Sequence, residues 1–126
     1  MSMHYIRIAG TGLLFLFIFL SGIWLSNSEK PLNVIILTIH KLLSLTMVVF
    51  LVTIMYQIHQ VAKLSAIEST AGVVTSVLFL GTIISGGLLS TGKPTAAAIL
   101  TMHQVTSVLT VLSTVVTLYL LLSRKP

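Results

Sequence analysis

LLFLFIFLSGIWLS, residues 13–26, and VLFLGTIISGGLLS, residues 77–90, are two versions of one segment. Leu14, Phe15, Leu16, Ser21, Gly22, Leu25 and Ser26 recur 64 positions later as Leu78, Phe79, Leu80, Ser85, Gly86, Leu89 and Ser90. Beyond the following turn the offset drops to 63, a single-residue deletion. Lys30, Pro31, Ile36, Leu37, Thr38, His40 and Ser44 then recur as Lys93, Pro94, Ile99, Leu100, Thr101, His103 and Ser107. Self-similarity at a fixed period has to be read before any single element, because it decides the architecture. Here it pairs His40 with His103.

Composition says where such a chain can live. Its 126 residues suffice for one domain, residues 1–126. It is 56% hydrophobic and 7% charged, with a mean hydropathy of +1.09. A soluble domain carries about 25% charged residues, so this chain lacks the polar groups to cover a watery surface, and a lipid bilayer is the expected partner. The net charge of +5 comes from residues near helix ends. With no basic stripe to neutralise phosphates, nucleic acid is excluded as a partner. There are no cysteines, which rules out disulfides, thiolate metal sites, iron–sulfur clusters and covalent haem attachment. Histidine is left as the ligand for a borderline metal.

Crossing the hydrocarbon core takes about 20 apolar residues. Four spans are expected, at about residues 8–26, 32–57, 67–90 and 95–122. Pro31 and Pro94 suit the first turn of the second and fourth spans. Tight turns at 27–29 and 91–92 make each pair of spans a hairpin, and a polar link at 57–68 joins the pairs. The expected fold is all-α: an integral membrane four-helix bundle of two tandem hairpin repeats, residues 8–60 and 67–122. The first span is too long for a signal peptide and no Ala-x-Ala site follows it, so it reads as a permanent helix. Both termini share one face, side A, with Arg7, Lys63, Arg124 and Lys125. The tight turns share side B with Lys30, Lys93 and, a few turns inward, Lys41. The excess of positive charge orients side A, and both termini, to the cytoplasm. Tyr5, Tyr56 and Tyr119 near side A and Trp24 near side B occupy interfacial anchor positions.

His40 and His103 lie at equal depth in the second and fourth spans. Those spans run in the same direction and face each other diagonally in a bundle wound in sequence. Ionisable residues inside a membrane are costly and usually functional. Opposed histidines on facing helices are candidate axial ligands for a haem iron. Gly22 and Gly86, with Gly87, Ser21 and Ser85, offer the small-residue space a flat ligand needs. Ser44 and Ser107, four residues beyond each histidine, are the expected partners that orient the imidazoles. Lys30, Lys93 and Lys41 (whose repeat partner is Gln104) would meet the propionates at side B. Structural hydrogen bonding, proton relay and another metal stay open for the same pair. Two histidines without a carboxylate or thiol are too few for a closed zinc site. His4 and His59, near side A, could hold a second haem, although His59 aligns with Leu122.

Paired histidines on the second and fourth helices, with glycines on the first and third, resemble the four-helix core of membrane b-type cytochromes such as respiratory cytochrome b. Two-haem members carry two histidines on each ligand helix; this chain has one deep histidine in each. The resemblance therefore implies one haem b held by His40 and His103, and electron exchange at side B with a quinol or a partner redox protein. It implies an electron-transfer protein or subunit rather than a stand-alone enzyme. No nucleophile–base pair, phosphate loop or paired carboxylate argues for catalysis. A haem carrier or sensor without redox turnover shares the same ligands. A small four-helix transporter would have to couple protons through the histidines, because Glu29 and Glu68 fall at helix ends. Assembly as a homo-oligomer is compatible with all of these readings.

Overall fold

A computed structural model describes residues 3–28, 33–91 and 97–123. It is all-helical: α1 (Met3–Ser26), α2 (Val34–Val61), α3 (Ala66–Leu89) and α4 (Ala97–Leu122). The helices have 24, 28, 24 and 26 residues. At 1.5 Å per residue each is about 36–42 Å long, against a hydrocarbon core of about 30 Å. All four are long and apolar enough to cross a membrane.

Local chemistry sets the helix ends. Asn33 caps α2, its side chain accepting from the backbone N–H groups of Ile35 and Ile36 at 2.9 and 3.3 Å. Pro31 and Pro94, expected in the first helical turns, lie outside the described residues, as do Glu29, Lys30 and Lys93. Ser65 and Glu68 form a reciprocal capping box on α3, so the polar link expected at 57–68 shrinks to residues 62–65. The S-x-x-E spacing carried that signal. α2 runs one turn past its expected end, and α1 starts earlier than expected, taking in His4, Tyr5 and Arg7.

The helices pack as neighbours α1–α2, α2–α3, α3–α4 and α4–α1, a ring in sequence order. Contact within each hairpin is extensive; contact between hairpins is sparse. A small core of Met47, Leu51, Ile54, Phe79 and Leu118 fills the centre. Outside it, large apolar side chains face outward, among them Phe17, Trp24, Leu45, Leu112 and Val116. That surface suits lipid tails and would be untenable in water. Outward-facing threonines such as Thr46, Thr53 and Thr101 donate to the carbonyl one turn back. Their hydroxyls thus need no water, as an apolar surround requires.

Both diagonals of the ring close on residues matched in sequence. Phe15 of α1 stacks on Phe79 of α3 at 6.3 Å between ring centres and 14° between planes. His40 of α2 meets His103 of α4 with ring centres 6.4 Å apart and planes at 65°.

Candidate functional site

Each histidine sits six residues into its helix, about 9 Å along the axis from the helix start. Each imidazole leaves its own helix toward the other helix of its hairpin. His40 Nδ1 lies 2.9 Å from Ser21 Oγ and 3.0 Å from the Ile18 carbonyl oxygen. His103 Nδ1 lies 3.1 Å from Ser85 Oγ and 3.0 Å from the Thr82 carbonyl oxygen. A carbonyl can only accept, so Nδ1 carries the proton in both rings. Each serine hydroxyl donates to the same carbonyl and therefore accepts from Nδ1. That fixes the tautomer: Nε2 holds a free lone pair on each ring.

The glycines explain how the rings come so close to α1 and α3. A Cβ at Gly22 would stand 3.1 Å from His40 Cε1, and one at Gly86 would stand 2.9 Å from His103 Cε1. The space expected to admit a flat ligand is thus taken, on this side, by the imidazoles themselves. Gly87 does not share in it: it is exposed, and a Cβ there would meet nothing within 4 Å.

Ser44 and Ser107 do not orient the rings. Their hydroxyls donate to the backbone carbonyls of His40 and His103 at 2.9 and 2.6 Å. A helical serine finds the carbonyl four residues back within easy reach, while the imidazole has already turned to the neighbouring helix. The orienting role expected of them falls to Ser21 and Ser85. Periodicity within one helix could not show this; the recurrence of both serines beside both glycines was the available signal.

The histidine pair opens onto a cavity of about 490 Å³, inside the range of about 300–1,000 Å³ usual for ligand and cofactor pockets. The stacked Phe15 and Phe79 form its inner end, Ser26, Ser28 and Ser90 lie at the ends of α1 and α3, and Gln104 lines it beside His103. Ser107 also lines it, and both glycines border it. Lys41 is exposed. On side A, His4 and His59 are exposed, and His59 Nδ1 accepts from the Leu64 N–H at 3.4 Å, closing the end of α2.

The donor set suits a metal held by two neutral imidazoles. An imidazole nitrogen binds a borderline metal at about 2.0–2.1 Å and lies about 1.1 Å from its ring centre, so two rings on opposite sides of one ion have centres about 6.3 Å apart. The observed 6.4 Å leaves the separation that one ion between two such rings would need. Nδ1–H bonds to a carbonyl and a hydroxyl are the outer partners such ligands use. Among the described residues, no three of His, Cys, Asp and Glu come together, which leaves the histidine pair unsuited to a structural zinc site and open to a cofactor that fills its own remaining coordination. No protein-family model, curated protein or solved structure matches the chain.

Proposed function

We propose that the chain is a four-span integral membrane protein built from two tandem hairpin repeats, binding one haem b between His40 and His103 and serving as a b-type electron carrier. One observation carries this reading. Two imidazoles from diagonal helices stand 6.4 Å apart, each with Nδ1 engaged and Nε2 free, at the edge of a cavity of about 490 Å³. When bound, haem b supplies a reversible one-electron centre. Ser21, Ser85 and the carbonyls of Ile18 and Thr82 hold the imidazoles through Nδ1 and leave Nε2 as the nitrogen that would bind the iron. Phe15 and Phe79 close the inner end against water, and the apolar flanks lower the local dielectric, which tunes a redox centre. Ser26, Ser28 and Ser90 are polar groups of the cavity toward side B, where the propionates would emerge; Lys30, Lys93 and Lys41 remain the candidate charges for them. A quinone or a redox protein is the proposed partner at side B.

The test is an absorption spectrum of the detergent-purified chain, oxidised and then reduced with dithionite. The expected result is a sharp Soret band with resolved α and β bands on reduction, lost in both His40→Ala and His103→Ala. A chain that stays colourless with added hemin, or an unchanged spectrum in both variants, sinks the reading.

A further inference from the structure

The two hairpins that carry the histidines match in sequence but not in how they are held. In the α3–α4 hairpin, Thr75 hydrogen-bonds across the seam to Ser113 at 2.5 Å and to Thr117 at 3.0 Å. Thr82, whose carbonyl receives His103, bonds through its hydroxyl to Thr110 at 3.2 Å. In the α1–α2 hairpin the positions corresponding to Ser113, Thr117, Thr82 and Thr110 are Phe50, Ile54, Ile18 and Met47, so these cross-seam bonds have no counterpart. The position corresponding to Thr75 is Thr11. It is still a threonine and still buried, but its hydroxyl has no hydrogen-bond partner. The α1–α2 seam therefore keeps the desolvation cost of a buried hydroxyl without the bond that offsets it. Burial agrees: Thr11 is the buried residue of α1, whereas α4 buries Thr110, Thr114, Thr117, Leu118 and Leu121. Contact between the hairpins is sparse outside the shared core of Met47, Leu51, Ile54, Phe79 and Leu118 and the Phe15–Phe79 stack.

We propose that His40 is the exchangeable axial ligand: the α1–α2 hairpin can swing away from the site while His103 stays bound, freeing one iron coordination position for a small neutral ligand of the carbon monoxide or imidazole class. The proposal rests on the haem reading above. His103 is held by a hairpin stapled along the seam beyond the site, by Thr82–Thr110, Thr75–Ser113 and Thr75–Thr117. Among the described residues, His40 is held by a hairpin whose cross-seam side-chain bonds are those of His40 itself, to Ser21 and Ile18, and an exposed Arg7–Gln57 bond at the far end. In a haem-loaded chain, replacing His40 by carbon monoxide would exchange one neutral donor for another, so no electron or proton would need to be supplied.

The test uses the full chain in detergent. Hydrogen exchange on the haem-free wild type should run about tenfold faster in α1–α2 than in α3–α4. After hemin loading, the dithionite-reduced wild type should bind carbon monoxide with a Soret shift. His40→Ala should keep its haem in a high-spin form that added imidazole returns to low spin, whereas His103→Ala should hold haem about tenfold more weakly. Equal exchange in the two hairpins, or equal haem loss in the two variants, overturns the proposal while a low-spin wild-type spectrum keeps the haem reading intact. A wild type that takes up no haem overturns both. The exchange measurement needs no variant, so a misfolded mutant cannot hide the answer.

Discussion

At the scale of single residues, the site is a pair of imidazoles whose protons have been assigned by their neighbours. Ser21 and Ser85 bond to Nδ1 at 2.9 and 3.1 Å, and outer partners of this kind are worth about 10–100-fold in ligand affinity. Ser21→Ala and Ser85→Ala should each weaken hemin binding by about tenfold, towards the low end of that range because the carbonyl bond remains. Hemin titration followed at the Soret band measures it; affinity unchanged in both variants would show that the carbonyls suffice. Gly86→Ala should be the harsher of the two glycine replacements, because its Cβ would come within 2.9 Å of His103 Cε1 against 3.1 Å at Gly22. A larger loss of low-spin haem in Gly22→Ala would contradict that geometry. The histidines and glycines were legible in the sequence because the repeat set them in register. The serine partners were misread because a helix wheel shows which residues share a face, not which neighbouring helix the side chain reaches. The i+4 serines lie on the right face and spend their hydroxyls on their own helix.

At the scale of helices, the hydroxyl bonds of α3–α4 can be weighed directly. Interhelical hydrogen bonds inside membranes average about 0.6 kcal/mol and reach about 1.7 kcal/mol. Thr75 makes two of them, so Thr75→Val should destabilise the protein by about 1–2 kcal/mol. Thr11→Val, at the corresponding place in α1, removes a buried hydroxyl that has no partner and should be neutral or stabilising, since an apolar group of the same shape carries no such penalty. Reversible unfolding in mixed detergent micelles gives both values, and a loss at Thr11 equal to that at Thr75 would show a bond at Thr11 that the fold does not display. The four helices themselves were plain from the length and apolarity of their segments, and the Ser65–Glu68 cap was written in its spacing. The unequal seams were hidden, because Thr75 and Thr11 look identical in sequence. What separates them is the residue opposite: Ser113 and Thr117 in one case, Phe50 and Ile54 in the other. That can be seen only once the facing helix is in register.

At the scale of the molecule, the histidines make the protein lopsided across its own length. His40 lies about 9 Å from the start of α2 and about 31 Å from its end at Val61. A centre at that depth can exchange electrons with a donor on side B, and the path to side A is more than three times as long. The chain has no cysteine, so single cysteines report sidedness cleanly. Asn27→Cys and Thr91→Cys, just past the ends of α1 and α3, should react with an impermeant maleimide from one face of a sealed vesicle, and Gln60→Cys from the other. The positive charge gathered with Arg7 and Lys63 should put Gln60 in the cytoplasm. In hemin-loaded vesicles of known orientation, an impermeant reductant should then reduce the haem quickly from the Asn27 face and slowly from the Gln60 face. Labelling of all three cysteines from one face would remove the four-span arrangement. Correct labelling with equal reduction from both faces would keep the arrangement and move the redox centre away from His40 and His103, toward mid-membrane. Fast reduction from the Asn27 face alone would tie the electron path to the end of the bundle where α1 and α3 end and Ser26, Ser28 and Ser90 line the cavity.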